Sequence, residues 1–426
     1  MPDQLRKIAI VGGRRIPFCR SNTLYADETN LSMMTAALDA VSDAYNLGGK
    51  HIDEVSGGAV VTHSKDWNIA REAVIGSKLA PSTPGETLIQ ACGTSLQAGM
   101  GIGAKIAMGQ IDSGIAIGSD TTSDAPIVFS KKFSKRLVDV QQKKSTWDKV
   151  KVFSGLRPGE LAPQPPSVGE PRTGLTMGQH CEIMAKRWNV SREAQDDLAY
   201  ASHRNADAAY ASGWMDDLVV PHAGVFRDNN LRGDIEREKL STLRTVFDKS
   251  DHGTMTAANS TPLTDGAAAV LFASEDWARS NGLPVLATMT HFQTAANNFV
   301  AGDGLLMAPT IAVSDMLKRA DLTLQDFDFY EIHEAFAAQV LSTLAAWEDP
   351  AYCRDQLGRN EPMGSIDHSK MNVKGSSLAF GHPFAATGAR IIANAAKLVS
   401  ENGGVRCLIS ICTAGGMGVT AIVEGA

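Results

Sequence analysis

The chain has 426 residues, of which 43% are hydrophobic and 20% charged, and its formal net charge is −7 at pH 7. This acidic balance argues against a general affinity for nucleic acid, which needs a basic surface. A single hydrophobic core stops growing near about 250–300 residues, so the length predicts two or more domains. The six cysteines show neither zinc-ligand nor CxxC spacing. The sequence therefore predicts free thiols in a reducing cytoplasm.

The first 125 residues alternate β-rich runs with helical patterns, which is typical of a layered α/β domain. KIAIVGGRRIPF predicts a strand that enters a turn at its glycines, and residues 31–47 have the apolar spacing of a helix. EVSGGAVV and IDSGIAIGSD predict further strands. The stretch TLIQACG predicts a strand that runs straight into a helix beginning near Gly93.

The character of the chain changes after Asp124. Residues 131–151 carry eight basic and two acidic residues, and the proline-rich stretch RPGELAPQPPSVGEP follows them. This composition predicts an irregular insertion outside the sheet. Helical patterns resume at TMGQHCEIMAKRW and SREAQDDLAYASHRNADAAYASG, and NSTPLTDGAAAVLFASE predicts a return to buried strand.

The last third of the chain echoes the first. Residues 89–118 and 378–412 both contain a chemically reactive residue, then small residues, an apolar helix, a glycine turn and a buried strand. Cys92 and His382 occupy corresponding places in this echo, so a duplicated α/β half would make them neighbours in space. Residues 407–423 are too rich in glycine and polar residues for a membrane span. They predict two buried strands around a glycine turn.

Cys92 lies where a helix is predicted to begin. The helix dipole lowers the pKa of a thiol at that end, whereas burial raises it. A lone cysteine of this kind is more often a packed side chain. However, His333, His382 and Cys412 also lie where predicted strands end and glycine-rich turns or helices begin. Because α/β sheets place ligand chemistry at such positions, the four segments together predict a reactive thiol with partners.

Five segments, in the right order, resemble the motifs of the thiolase family over nearly the full chain. ACGTSLQA resembles the nucleophile motif, and TAANSTPLTDGAAA resembles the asparagine-rich signature. GHPFAATGAR and CTAGGMG resemble the two C-terminal signatures, and TMGQHCE resembles the substrate-holding segment of the loop domain. The resemblance implies an α/β thiolase fold, in which duplicated halves form a five-layered αβαβα sandwich with an inserted loop domain. The implied boundaries are 1–125 and 262–285 for the N-terminal half, 126–261 for the loop domain and 286–426 for the C-terminal half.

Three residues refine the resemblance. His333 stands where most thiolases have an asparagine, and Ala385 stands where glycine is frequent. The segments that contain these two residues, HEAFA and GHPFAATGAR, resemble those of the 3-ketoacyl-CoA thiolase β-subunits of trifunctional β-oxidation complexes. Ala414 stands where many thiolases have an oxyanion-hole glycine. Since the donor there is a backbone N–H, an alanine can still supply it in a slightly tighter cavity.

The resemblance implies CoA-dependent cleavage of 3-ketoacyl-CoA to acetyl-CoA and a shortened acyl-CoA in fatty-acid β-oxidation. Coenzyme A would be a co-substrate, with no tightly bound cofactor and no metal. Cys92 would carry the acyl group, His382 would be its base and Cys412 the second acid and base. His333 and His382 would hold the enolate oxygen, and the backbone N–H groups of Cys92 and Ala414 would hold the tetrahedral oxyanion. The implied substrate or coenzyme A contacts are Met177, Arg232, Thr261, Met307 and Phe336, for most of which ordinary packing is an equal alternative.

Other functions remain open on the sequence alone. The main alternative is a short-chain acetyl-CoA acetyltransferase that condenses two acetyl-CoA molecules to acetoacetyl-CoA. A decarboxylating ketosynthase would also use one cysteine and two histidines, but it needs no second thiol such as Cys412. A non-catalytic member of the superfamily would be expected to lack one of the motifs.

The resemblance also bears on partners. It implies a homodimer or homotetramer in the cytoplasm and a β-oxidation α-subunit as a further partner. Three interpretations of the basic segment 131–151 stay open: a solvated charged face, a surface for anionic lipid or a partner subunit, and direct contact with the phosphates of coenzyme A.

Overall fold

The computed structural model describes residues 5–167 and 169–426. The strands are β1 (Ile8–Arg15), β2 (Cys19–Arg20), β3 (Glu54–Gly58), β4 (Gly85–Thr87), β5 (Ser113–Asp120), β6 (Thr264–Ser274), β7 (Ala287–Ala296), β8 (Phe329–Ile332), β9 (Arg406–Thr413) and β10 (Met417–Gly425). The helices are α1 (Asn30–Ala44), α2 (Ile69–Gly76), α3 (Thr94–Ala107), α4 (Lys131–Gln142), α5 (Thr146–Lys151), α6 (Met177–Arg187), α7 (Arg192–Ala211), α8 (Arg237–Ser241), α9 (Glu275–Ser280), α10 (Ala308–Ala320), α11 (Ala337–Glu348), α12 (Pro350–Asp355), α13 (Ser377–Phe380) and α14 (Thr387–Asn402).

The sheet consists of two similar parts that meet at β1 and β7. Its strand order is β4-β3-β5-β6-β1-β7-β10-β9-β8, and β2 pairs with β6. In the first part β3 and β5 are parallel, while β5–β6 and β6–β1 are antiparallel. In the second part β8 and β9 are parallel, while β9–β10 and β10–β7 are antiparallel. The same pairing scheme therefore occurs twice, as the sequence echo predicts.

Three hydrophobic clusters show how the layers stack. The central cluster joins α3 and α14 to strands of both parts, with Leu96 and Ile392 among its fully buried members. A second cluster packs α1 and α2 on the opposite face of the first part of the sheet. A third packs α10 and α11 on the opposite face of the second part. Because strands alternate their side chains between two faces, each part is covered on both sides. The predicted αβαβα layering is confirmed.

Glycines allow the two halves to approach closely in the central layer. A Cβ atom at Gly388 of α14 would lie 2.4 Å from the backbone nitrogen of Leu96 in α3. One at Gly118 of β5 would lie 1.9 Å from the carbonyl oxygen of Ala385. These contacts are with backbone atoms, so a larger residue would push the halves apart.

The structure corrects three local predictions. The first strand does not turn at its glycines but continues through them to Arg15, with a bulge between Ile10 and Gly12. The strand predicted to reach Cys92 ends at Thr87, and an irregular stretch follows it. Within the insertion, the basic segment 131–151 is not irregular, because it forms α4 and α5. Within residues 5–167 and 169–426, no helix is long and apolar enough to cross a membrane.

Candidate active site

Cys92 lies in a 3₁₀ turn directly before α3. The turn spans Ala91–Gly93, and Ala91 has a φ of 44°, a left-handed conformation that is uncommon for a residue with a Cβ. The Thr94 hydroxyl accepts the Gln90 N–H at 2.8 Å and donates to the Ala91 carbonyl at 2.8 Å, which holds the turn in place. The turn contacts β9 and the start of α14, so it presents the thiol to the second half.

The absence of a side chain at Gly93 has a packing cause. A Cβ atom there would lie 2.7 Å from Cγ2 of Val419 and 2.9 Å from Cγ2 of Thr413, both on strands of the second half. The space that a side chain at position 93 would need is therefore already filled by β9 and β10. The glycine thus lets the two halves meet at the thiol.

The structure brings Cys92 and His382 together across the two halves. Sγ of Cys92 lies 3.0 Å from Nε2 of His382, and Nδ1 of His382 lies 2.6 Å from the Thr387 hydroxyl. The backbone N–H of His382 donates to the Thr264 hydroxyl at 3.1 Å. If the thiol donates to Nε2, the ring proton is on Nδ1 and donates to Thr387, which fixes one tautomer. Nε2 is then ready to accept the thiol proton.

Burial keeps this pair uncharged before substrate binds. Cys92 is 7% exposed and His382 4% exposed. Burial raises the pKa of Cys92 to about 12, although the backbone N–H groups of Ala414 and Cys92 itself oppose the shift. Burial, and then the Arg390 charge, lower the pKa of His382 to about 3. The lowering of the thiol pKa expected from the helix terminus is therefore outweighed by burial.

His333 lies beside this pair, immediately after β8. Its ring centroid is 4.2 Å from that of His382, and its Nδ1 is 2.9 Å from the Ser377 hydroxyl. Nε2 is buried and has no hydrogen-bond partner among the described residues. Burial lowers the pKa of His333 well below its usual range, and the charges of His382 and Arg390 add to this effect. A neutral ring with one free nitrogen therefore faces the reacting centre.

Cys412 lies one residue before the end of β9, and Ala414 lies in the turn that joins β9 to β10. Cys412 is 1% exposed, and burial, followed by the charge interaction with Cys92, raises the pKa of its thiol well above the usual range. The Ala414 N–H is close enough to lower the pKa of Cys92. The neighbouring Gly415 N–H donates to Oε1 of Glu170 at 3.1 Å, so a carboxylate of the inserted segment holds this turn.

The predicted substrate contacts fall into two groups. Met177, Met307 and Phe336 pack in one apolar cluster with Cys412, partly under α6 of the inserted segment. Thr261 donates from both its backbone N–H and its hydroxyl to the Ala335 carbonyl. This places Thr261 beside residues 333–336, the HEAF segment. Arg232 is not in this cluster: its backbone N–H donates to Nδ1 of His203 on α7.

Four residues that organise the site were not among the predicted site residues, although one of them, Thr387, lies inside GHPFAATGAR. Thr387 and Ser377 hold His382 and His333, and both are polar residues in small, apolar segments, a signal the sequence offered. Asp120 accepts N–H groups from Val60, Val61 and Ala385. Glu170 lies in the proline-rich insertion, where no periodicity marks it.

Sγ of Cys92 and one ring nitrogen each of His333 and His382 lie within 4.8 Å of one another. A thiolate and two imidazoles are ligand types that zinc accepts. Here Cys92 and His382 are instead hydrogen-bonded to each other as neutral groups, an arrangement suited to proton transfer. The expectation that the protein holds no metal stays a prediction.

Known proteins resemble the whole chain. Two family models match it: thiolase, N-terminal domain, over residues 8–276 and thiolase, C-terminal domain, over residues 283–425. The 3-ketoacyl-CoA thiolases of Shewanella sp. and Shewanella putrefaciens are each 41% identical over 424 residues, which is 98% of this chain and 97% of theirs. A solved Bacillus anthracis acetyl-CoA acetyltransferase superposes with a TM-score of 0.81 at 26% identity, covering 100% of both chains. Human mitochondrial 3-ketoacyl-CoA thiolase superposes with a TM-score of 0.81 at 25% identity, covering 99% of both.

Proposed function

The chain belongs to the thiolase family, and on that basis we propose that it cleaves 3-ketoacyl-CoA with coenzyme A in fatty-acid β-oxidation. The observation that carries the proposal is the 3.0 Å Cys92–His382 pair with a second buried thiol, Cys412, beside it. Carbon–carbon cleavage needs a nucleophile with its base and a separate acid for the leaving carbanion. Cys92 would be the nucleophile, with His382 as its base, and Cys412 would be the acid.

In the first step Cys92 attacks the 3-keto carbon. The S–H bond breaks as its proton moves to Nε2 of His382, and a new S–C bond forms. The carbonyl π electrons move to the oxygen, which the N–H groups of Cys92 and Ala414 stabilise. Removing one such fixed donor typically costs about 2.7–4 kcal/mol in an enzyme that depends on it.

In the second step the C3 oxyanion re-forms its C=O bond, which leaves a thioester on Cys92, and the bond between C2 and C3 breaks. Its electron pair passes into the enolate of acetyl-CoA, whose oxygen accepts hydrogen bonds from His333 and His382, and Cys412 protonates the carbon. Coenzyme A then enters, gives its thiol proton to the Cys412 thiolate and attacks the thioester. The acyl group leaves on coenzyme A, and His382 returns the first proton to Cys92.

The apolar cluster of Met177, Met307 and Phe336 beside Cys412 would hold the pantetheine arm or the acyl chain. Thr261 would support the HEAF segment through its two bonds to Ala335. Arg232 would lie toward the adenine end of coenzyme A, and nothing in its contacts yet ties it to the thiol.

Substrate preference decides between this function and its alternative. The purified protein should be assayed for thiolysis of acetoacetyl-CoA and of medium- and long-chain 3-ketoacyl-CoA, and for condensation of acetyl-CoA. Efficient thiolysis of the longer substrates supports the proposal. Activity confined to acetoacetyl-CoA and acetyl-CoA would instead indicate a short-chain acetyl-CoA acetyltransferase, the activity in the name of the similar Bacillus anthracis protein.

The nucleophile has its own test. Cys92→Ser should show no acyl adduct by intact-protein mass spectrometry after incubation with acyl-CoA, because a buried hydroxyl is a much weaker nucleophile than a thiol. Cys19→Ala, at a buried cysteine in β2, is the matched control and should retain the adduct. A normal adduct on Cys92→Ser would contradict the assignment.

We extend the proposal to assembly and surface contacts. The enzyme would work in the cytoplasm as a homodimer or homotetramer, with an α-subunit of β-oxidation as a further partner. The segment 131–151 forms α4 and α5, whose basic residues are accompanied by exposed Val138, Trp147 and Val150. This combination favours peripheral contact with an anionic membrane over a merely solvated face. Light scattering tests the oligomer, and co-sedimentation with anionic against zwitterionic vesicles tests the surface.

A further inference from the structure

A buried ion pair near the site has no place in the steps above. Glu331 lies on β8 and Arg390 on α14, and the side chain of each is 1% exposed. Nη1 of Arg390 lies 3.7 Å from Oε2 of Glu331. At this distance the two side chains share no hydrogen bond, and burial raises the pKa of Glu331 to about 8, so the pair contributes little net stability. Its presence is better explained by what the guanidinium holds.

Arg390 reaches the site through two hydroxyl groups. Its Nη2 lies 2.8 Å from the Ser377 hydroxyl, and its Nη1 lies 3.3 Å from the Ser376 hydroxyl. The Ser377 hydroxyl is also 2.9 Å from Nδ1 of His333. The four groups Glu331, Arg390, Ser377 and His333 thus form one continuous chain of contacts.

The chemistry of the donors sets a direction along this chain. A guanidinium only donates, so the Ser377 oxygen accepts from Arg390. A hydroxyl has one proton, and Nδ1 of His333 is the one other partner of the Ser377 hydroxyl among the described residues, so an N–H at Nδ1 would leave the hydroxyl proton without an acceptor. The hydroxyl therefore donates to Nδ1, and the ring proton of neutral His333 lies on Nε2.

The free end of His333 faces the reaction. Nε2 has no hydrogen-bond partner within the described chain, although it is buried. Nδ1 is occupied by its bond to Ser377. Nε2 is therefore the ring nitrogen of His333 that lies close to Cys92 and His382. An N–H at this place can donate to a developing oxyanion, whereas the other tautomer would direct a lone pair at it.

We propose that Ser377, held by Arg390, is a positioning residue that fixes His333 as an Nε2–H donor for the enolate oxygen. The proposal rests on the function proposed above, because it needs an enolate. Burial lowers the pKa of both His333 and His382, and the nearby guanidinium charge adds to this effect. Both rings are therefore neutral before His382 accepts the thiol proton.

The proposed role separates two half-reactions of the same protein. Acylation of Cys92 by acetyl-CoA uses the donors at Cys92 and Ala414, whereas hydrogen–deuterium exchange of the acetyl-CoA methyl group needs the enolate. For Ser377→Ala we expect exchange to slow by roughly 10- to 100-fold, less than the roughly 10²–10³-fold typical of deleting an oxyanion donor. Acylation, followed by mass spectrometry, should stay within about twofold of the unaltered protein. Ser377→Thr keeps the hydroxyl and should restore most of the exchange.

Three results would overturn the proposal: an equal loss in both half-reactions, no loss in either, or failure of Ser377→Thr to rescue. Should Ser377→Ala not fold, nitrogen-15 NMR of histidine-labelled unaltered protein gives the answer directly. The His333 signals, assigned from a His333→Asn sample, should show the neutral Nε2–H tautomer. The Nδ1–H tautomer or a charged ring would contradict the proposal. The NMR result does not depend on turnover, so it is distinct from failure of the proposed function, which would appear as absent thiolysis in the unaltered protein.

Discussion

The two halves of the molecule end equivalent strands in different ways. Strands β5 and β9 each have eight residues, each follows a central helix, and each ends near Cys92. The second-to-last residue is Ser119 in β5 and Cys412 in β9. The last residue of β5, Asp120, accepts three backbone N–H groups. In the first half, Asp120 at the end of β5 holds the backbone of the site. In the second half, the end of β9 carries Cys412, the proposed acid.

This difference shows how a duplicated fold divides its work. The first half supplies the nucleophile Cys92 and the anchor Asp120. The second half supplies His333, His382 and Cys412, all at the ends of strands or helices. Because the two sets meet across the central layer, chemistry depends on the fit between halves as much as on any one motif. Four experiments test this division of roles between the halves, beginning with the largest expected effect.

Cys412→Ala compared with Ser119→Ala tests the strand ends directly. We expect Cys412→Ala to lose about 10²–10⁴-fold in thiolysis rate, the range that a general acid contributes, while Cys92 still accepts an acyl group from simple acyl-CoA. Ser119→Ala, at the equivalent place, should change the rate by less than about twofold. Steady-state thiolysis and intact-protein mass spectrometry measure both. Full thiolysis by Cys412→Ala would remove this thiol from the mechanism.

Asp120→Ala tests the anchor. The change leaves the N–H groups of Val60, Val61 and Ala385 without their acceptor, and each such loss costs about 1–3 kcal/mol. We expect the free energy of unfolding to fall by about 3 kcal/mol or more, measured by urea denaturation. Asp120→Asn retains an acceptor oxygen and should lose less. A drop below about 1 kcal/mol for Asp120→Ala would mean that Asp120 does not anchor the second half.

Gly388→Ala and Gly101→Ala compare the two central helices. A methyl group at Gly388 meets the Leu96 backbone nitrogen at 2.4 Å, so overpacking should destabilise the protein by about 1–3 kcal/mol. At Gly101, in α3, a methyl group meets nothing within 4 Å. The higher helix propensity of alanine should stabilise that variant by about 0.5–1 kcal/mol. Thermal unfolding gives both values, and the same sign for both would contradict the packing described.

The pH dependence of alkylation tests the charge state of the Cys92–His382 pair. Between a thiol pKa of about 12 and an imidazole pKa of about 3, both groups are neutral. Only the thiolate reacts with iodoacetamide, so the rate should rise steadily from about pH 6 to about pH 9 as the thiolate fraction grows. A preformed thiolate–imidazolium pair would give a plateau in that range. Peptide mapping confines the measurement to Cys92.

Much of the fold and site follows from the sequence. The echo between residues 89–118 and 378–412 predicted the duplication and the proximity of Cys92 to His382, because equivalent helix starts meet at a shared axis. The echo did not predict the roles of Asp120 and Ser377. Their partners lie in distant segments, so neither a period nor a local motif carries the information.

Two other outcomes depended on quantities that a sequence does not contain. The charge state of Cys92 is set by burial against the helix terminus, and only the packed structure gives the degree of burial. Gly93 shows the same limit, since the strands that occupy the space beside it lie more than 300 residues later in the chain. A small residue predicts close approach but not what approaches.

The position of β1 between β6 and β7 has a consequence for how the chain is made. Its nearer partner in sequence, β6, begins about 250 residues after β1 ends. At a synthesis rate of about 5–20 residues per second, β1 leaves the ribosome roughly 10–50 seconds before its neighbours exist. Its pairing is among the most non-local contacts in the protein, which predicts slow folding. The strands on both sides of β1 are complete only once residue 296 has been made, so the junction between the two matched family segments forms late in synthesis.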